Sequence, residues 1–437
     1  MKNEILLICY DYLPMVTPNS FRWSSIAEYW SDHGFQIHVI CSWQPGLPRE
    51  EKMDNIFIYR VGGGFSQKIR QGIMNRYQPI VMNRIERKKR LSAKQRLIAW
   101  SKWLHDITWK KIYWPDYACF WFFNAHKKSS ELIKKNNITK MITVSFPFTG
   151  HLVGYFIKKK NPETTWVVDI LDPSFFPGFP PTNNRLLYSG WNRRMERKVF
   201  RRAQAISVLT ESIRKRFSEL YPEDSPKINV NPNLLYCQRD MKNSLFPTDN
   251  KIRMVFIGAL NKTSRSPEHV LHVFEMLLET RIAARLELHF FGHVDYCQEM
   301  FMPYQKLINK SILMHGLVSR EIAIQAMSSA NILVNIGNNN PYQEPSKVIE
   351  YVSARRPIIN FVTIQNDSSV LILEKYPAAL NVFCPLQGEK DGQLDLLVKF
   401  IEHPPVVESD LVEKLVRPYE IDSVANAYQR MLSGTGI

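Results

Sequence analysis

N-I-G-N-N-N-P-Y-Q-E-P-S-K-V-I-E-Y-V-S-A-R-R-P-I-I-N-F, from Asn335 to Phe361, is the stretch on which the reading of this chain turns. The apolar run Ile332-Leu333-Val334 that leads into it reads as a buried strand ending in an Asn-rich loop. Pro345-Ser346 predicts a helix start with Ser346 as the natural N-cap. That helix carries Lys347, Glu350 and Tyr351 and stops at Arg355-Arg356-Pro357, before a second buried strand, Ile358 to Phe361. Strand, polar loop and helix N-terminus form a unit that holds anions, because the first turn leaves N–H groups free and the helix dipole favours negative charge there. Lys347 adds a point charge, and Glu350 at i+3 lies on roughly the same face. The arrangement suits a pyrophosphate and a ribose. It equally suits an ordinary capped helix with Glu350 in solvent.

The same grammar extends outward. In the second half, Ile252 to Gly258 reads as a strand, followed by a basic loop, Asn261 to Pro267, and an amphipathic helix from Glu268 to Thr280. Strands follow at Leu286–Gly292 and Ile312–Gly316, with a helix from Arg320 to Ala330. The first half has strands at Ile5–Tyr10, Phe35–Cys41 and Ile56–Val61, with a helix from Arg22 to His33 closed by Gly34. Met141–Val144 is a further strand, and the turn S-F-P-F-T-G-H brings His151 to the head of a helix ending at Lys160. Thr165–Ile170 is a strand with Asp172-Pro173 at its carboxyl end; a basic helix over Asn192–Arg202, a strand over Ala205–Leu209 and a helix capped by Thr210 or Ser212 come next. Strand–helix–strand repeats predict an α/β chain with two parallel sheets and crossover helices, that is, two facing Rossmann-like domains with a deep cleft between them. The expected domains are 1–236 and 251–417, joined by a polar linker at 237–250. A C-terminal helix at 418–437 is expected to pack back toward the first domain. The first strand–helix loop lacks G-x-G-x-x-G, so the standard dinucleotide fingerprint is absent.

At 437 residues and 45% apolar, the chain can build real cores. It has no run of eighteen apolar residues, so no transmembrane helix is predicted. The opening M-K-N-E-I-L-L-I-C-Y-D-Y reads as a first buried strand and not as a secretory leader. Six scattered cysteines without C-x-x-C spacing argue against a zinc site or a disulfide framework and make a reducing cytoplasm the expected location. The balance of 57 basic to 41 acidic residues points to an anionic partner. Within an insertion at about 65–125, residues 68–111 hold thirteen Lys/Arg against Glu86 and Asp106. Trp100, Trp103, Trp109, Tyr113, Trp114 and Tyr117 lie in or just after that run. This suits peripheral contact with an anionic membrane. It also suits a solvated helical insertion with its aromatics turned inward. No nucleic-acid motif accompanies the charge, so no nucleic-acid partner is expected.

Several segments together resemble a known family. These are G-A-L-N-K-T-S-R-S-P (258–267), H-G-L-V-S-R (315–320) and E-P-S-K-V-I-E-Y-V-S-A-R-R-P-I (344–358) in the second half. In the first half they are F-R-W-S-S-I-A-E-Y-W-S-D-H-G-F (21–35), S-F-P-F-T-G-H-L-V-G (145–154) and V-V-D-I-L-D-P (167–173). In this order the chain resembles retaining glycosyltransferases of the two-domain GT-B architecture, glycosyltransferase family 4 in particular.

The resemblance implies a hexosyl transfer from a nucleoside diphosphate-sugar, UDP-sugar favoured, without metal or cofactor. The acceptor would be a saccharide or lipid-linked saccharide, in surface polysaccharide or glycolipid synthesis at the inner face of a membrane. It implies that Arg265 and Lys262, beside Gly258, neutralise the donor pyrophosphate. Ser346, Lys347 and Val348 would hold the distal phosphate and Glu350 the ribose, with Gly292 and His293 near the base. His151 would face the transferred sugar and, with Arg265 and Lys347, make up the catalytic set; Asn19, Arg22, Asp169 and Asp172 would line the acceptor side. Two departures stand out. Eight residues before Glu350, where the family has another glutamate, stands Tyr342; that glutamate is either absent or replaced through a shifted loop by Glu344, which then joins the donor-binding set. The first loop has Thr17-Pro18-Asn19-Ser20 where many relatives carry Gly-Gly. These departures keep open a non-catalytic nucleotide-sugar-binding scaffold; an epimerase of the same architecture is a separate alternative, distinguished by whether turnover depends on an added acceptor.

Overall fold

A computed structural model describes residues 3–63, 112–176, 179, 181–235, 244–262, 264–294, 297–343, 346–385 and 390–434. Most of the basic-aromatic insertion, the first part of the predicted linker, and Glu344 lie outside the described residues. The chain divides into two compact units, Met1–Pro232 with Ile421–Ile437, and Asn233–Glu420. The first division falls at Pro232, a few residues ahead of the linker expected at 237–250.

The first unit is built on eight strands: β1 (Glu4–Ile8), β2 (Gln36–Ser42), β3 (Glu50–Met53), β4 (Ile56–Val61), β5 (Lys140–Ser145), β6 (Thr165–Ile170), β7 (Ala205–Val208) and β8 (Ile228–Val230). Their order is 3-4-2-1-5-6-7-8, parallel except for the β3–β4 hairpin. The helices are α1 (Pro18–Asp32), α2 (Trp121–Asn136), α3 (Thr149–Lys160), α4 (Arg185–Arg202) and α5 (Glu211–Leu220). The central strands β1 and β2 are near-continuous buried runs because a sheet covered on both faces has no solvent side to make polar.

Two helices start earlier than the apolar periodicity implies. α1 begins at Pro18, not Arg22, because Thr17 and Ser20 cap each other reciprocally and Pro18 fits the first turn. α4 begins at Arg185, two turns before Asn192, with the Asn184 side chain accepting from the Leu187 N–H at 3.4 Å. Its first two turns carry apolar residues outward, which erased the expected pattern.

The second unit has β9 (Ile252–Ile257), β10 (Leu286–Phe291), β11 (Ile312–Gly316), β12 (Ile332–Ile336), β13 (Ile358–Val362) and β14 (Ala379–Phe383), all parallel in the order 11-10-9-12-13-14. Its helices are α6 (Glu268–Leu277), α7 (Gln298–Phe301), α8 (Arg320–Ser329), α9 (Ser346–Ser353), α10 (Ser368–Leu373), α11 (Lys390–Glu402) and α12 (Ser409–Val416). The alternation along β9 sorts Met254 and Phe256 into one core and Val255 and Ile257 into the other, so both faces of the sheet are packed. One polar row crosses this apolar sheet. Asn335 donates to Asn360 at 2.7 Å and Asn360 to Asn381 at 2.8 Å, on positions paired in register across β12, β13 and β14. A one-residue slip would leave these buried amides unpaired, so the row holds the register.

The last helix, α13 (Ile421–Ser433), belongs to the first unit, where it packs on α1 and β6. Tyr428 sits 4.8 Å from the Trp23 ring. A short 3₁₀ turn, Arg417–Tyr419, separates α12 from α13 at Pro418.

Candidate active site

In a doubly wound sheet the strand order reverses beside the first strand, and ligands bind at the carboxyl ends there. In the second unit that point lies between β9 and β12. The loops after these two strands are joined. Arg265 Nη2 donates to Asn338 Oδ1 at 3.1 Å, and the Asn339 N–H donates to the Ser264 carbonyl at 3.1 Å.

Gly258 and Gly292, at the ends of β9 and β10, carry φ of +153° and +126°, which only glycine adopts without strain. Their backbones nearly touch: a Cβ on Gly292 would land on the Gly258 carbonyl oxygen. A Cβ on Gly258 would lie 3.5 Å from the Arg265 guanidinium. Bare backbone and one arginine therefore share this corner, with the His293 carbonyl accepting from the Leu260 N–H at 2.8 Å.

Arg265 Nε is buried and has no partner among the described residues. Burial pulls its guanidinium below the ordinary arginine value, with Tyr351 and Asp367 acting in the other direction. It is a poorly hydrated cation with donor capacity to spare. Asp367 was not singled out from the sequence. It caps α10 through the Ser369 N–H at 2.8 Å, keeps one carboxylate oxygen without a partner among the described residues, and has its carboxyl raised by burial.

α9 opens on Ser346, where the sequence placed the cap before the helix. Tyr351 fastens the helix to β9, its hydroxyl accepting from the Ile257 N–H at 2.9 Å. Lys347 Nζ meets Glu350 Oε2 at 2.6 Å, and Glu350 is only 6% exposed, so the solvated glutamate of the alternative reading is not what the chain builds. Val348 is wholly buried in the core, which leaves its side chain a packing role and not donor contact. Lys262 pairs with Glu299 on the surface.

In the first unit the corresponding edge gathers His151, Asn19 and Asp172. Asn19 Nδ2 donates to the Ser145 carbonyl at 3.0 Å, and Asp172 is exposed. His151 is 1% exposed. Its Nδ1 lies 2.8 Å from the Thr143 hydroxyl, which accepts from Trp166 Nε1 at 2.9 Å. Its Nε2 has no partner among the described residues.

Burial pushes the His151 imidazole down to about 3. The unfolded imidazole binds its proton near 6.5, so between these values the unfolded state holds more protons and stability rises with pH. We expect the denaturation midpoint to fall as pH is lowered from 7 to 4.5, and His151→Gln to flatten that dependence whatever its own midpoint. Equal slopes in the two proteins would refute the assignment.

Arg22 and Asp169 are buried and bonded within the first unit. Arg22 is 2% exposed and donates to the carbonyls of Pro232 and Asn231 and to the Tyr428 hydroxyl, at 2.5, 3.1 and 3.0 Å. Asp169 is 1% exposed and accepts from Trp23 Nε1, the Ser207 hydroxyl and the Tyr428 hydroxyl, at 3.1, 2.7 and 2.6 Å. Their partners lie far along the chain, so no local motif exposes the arrangement.

No family model matches the chain, and no curated protein does. Solved structures do. A glycosyltransferase from Rickettsia africae ESF-5 is 12% identical over 99% of this chain and 98% of its own, with a TM-score of 0.59. A UDP-forming trehalose-phosphate synthase from Burkholderia xenovorans is 10% identical over the full length of both chains, at 0.62. The lipopolysaccharide outer core galactosyltransferase WaaB is 12% identical over 99% of both, at 0.56. With two parallel Rossmann-like sheets of matching extent, the chain has the GT-B fold that these glycosyltransferases share.

Proposed function

We propose that the protein is a retaining, metal-independent glycosyltransferase that takes a hexosyl group from a nucleoside diphosphate-sugar, UDP-sugar favoured, and passes it to a saccharide or lipid-linked acceptor. The observation that carries this reading is the half-satisfied, desolvated Arg265 at the reversal point of the second sheet, over the bare Gly258–Gly292 corner. A planar guanidinium matches two oxygens of a diphosphate, and charge on that diphosphate grows as the glycosyl bond breaks. Lys347, at the opening of α9, supplies the second cation when it swings from Glu350 to the distal phosphate. Glu350 is then free for the ribose hydroxyls. His151 Nε2, buried and neutral, offers a polar contact to the sugar without adding charge. A location at the inner face of a membrane, and a role in surface polysaccharide or glycolipid synthesis, follow from the lipid-linked acceptor.

Calorimetric titration with UDP, GDP and ADP tests the donor site. We expect UDP to bind, and Lys347→Ala to weaken it about tenfold or more, the effect of one charge-assisted hydrogen bond. If none of the three binds, the reading fails. Binding without any acceptor-dependent turnover would favour a scaffold role.

A further inference from the structure

The exposed start of α4 has no role in the donor chemistry, yet Leu186 is 98% exposed, Leu187 59% and Trp191 68%. Ile112, 60% exposed, lies beside them, its carbonyl accepting from the Tyr188 hydroxyl at 2.5 Å. Trp114 meets Trp191 edge-on at 6.2 Å and donates to Asn192 at 2.9 Å. Together they form one contiguous apolar tip with two indoles, not scattered surface residues.

The helix behind the tip is basic. Its exposed side continues through Arg193, Arg194, Arg197, Lys198 and Arg201, whereas Asn192, Glu196, Val199 and Phe200 face inward. α4 packs against α3 and α3 against α2. These three helices carry seven, three and four basic residues against the acids Glu196 and Glu131 alone. α2 and α3 add exposed Phe123 and Phe156, which flank Phe122 at 5.4 and 5.5 Å. A soluble partner with an acidic surface would match the charge but not an exposed Leu-Leu-Trp tip. An anionic bilayer matches both, with leucines in the acyl boundary, indoles at headgroup depth and arginines on the phosphates.

We propose that the α2–α3–α4 layer is a membrane-docking face that inserts the tip formed by Ile112, Leu186, Leu187 and Trp191 into the interface of an anionic bilayer. α4 follows β6, so the tip lies at the carboxyl edge of the sheet, the edge that also carries His151. A lipid-borne acceptor would thereby be met at the membrane surface. That last link rests on the transferase reading; the docking does not.

The test is flotation of the full chain with vesicles of phosphatidylcholine, alone or with one-third phosphatidylglycerol. We expect binding to the anionic vesicles only, weakened by high salt. The triple variant Leu186→Ser, Leu187→Ser, Trp191→Ser should bind at least about tenfold more weakly even at low salt, with an unchanged melting temperature. Arg194→Glu with Lys198→Glu should abolish the preference for anionic lipid. A triple variant that floats like the parent would overturn the proposal. So would a parent dimer that the triple variant makes monomeric without any vesicle binding, since the face would then cover a second copy. UDP titration on the same samples separates the two readings, because loss of nucleotide binding with flotation intact fails only the donor site.

Discussion

Arg265→Ala should lower turnover by about 10²- to 10³-fold, the loss typical of removing one pre-organised donor to a developing anion, while the melting temperature stays level or rises slightly. The two halves of that expectation share one cause. Among the described residues Arg265 is held by a single side-chain hydrogen bond, to Asn338, and its Nε is buried without a partner. Burial already disfavours its charge. In the free protein it is therefore a net cost, offset in part by Asp367 and further when an anion fills the corner beside Gly258 and Gly292. Removing it relieves that cost and removes the anion's partner. Arg265→Lys keeps the charge but not the planar fork, and should recover only part of the rate. The measurements are kcat with the donor that UDP titration identifies and a thermal melt of each variant. A melting temperature several degrees lower, with UDP binding intact, would make Arg265 a structural clamp between the β9 and β12 loops.

How much of this was legible in sequence depends on the range of each interaction. The strands were readable because two buried faces demand unbroken apolar runs, as in Ile252–Ile257 and Ile332–Ile336. Lys347 and Glu350 were readable as a pair because three residues along a helix put them side by side. The Arg265–Asn338 bond was not, since 73 residues separate its ends. The Asn-rich loop of the opening stretch was visible, but which asparagine would meet the arginine is decided by the strand order. The beginnings of α1 and α4 were misplaced for opposite reasons. One is set by the reciprocal cap between Thr17 and Ser20, which carries no apolar signal. The other lies under leucines that face outward, where periodicity reasoning assumes that leucines face in. Short edge strands such as β3, with its charged Glu50-Glu51-Lys52, gave no strand signal at all.

Asp169 separates an acceptor contact from a structural hub. As an acceptor contact, its loss would raise the KM for acceptor and leave the fold alone. As the hub of Trp23, Ser207 and Tyr428, its loss strands three buried donors, and hydrogen bonds to a charged group are worth about 1.5–3 kcal/mol each. Tyr428 and Ser207 also touch each other at 3.1 Å, which softens the sum. We therefore expect Asp169→Ala to destabilise the first unit by about 3–5 kcal/mol and to make the C-terminal helix α13 susceptible to limited proteolysis, because Tyr428 is its polar anchor to β6. Tyr428→Phe leaves the carboxylate two of its three donors and should cost about 1–2 kcal/mol. The pair combined should fall short of additivity, as expected for partners in one network. Chemical denaturation of the three variants decides the matter. A wild-type unfolding midpoint for Asp169→Ala, together with a raised acceptor KM, would place Asp169 on the acceptor side and leave α13 held by Arg22 and its packing against the indoles of α1.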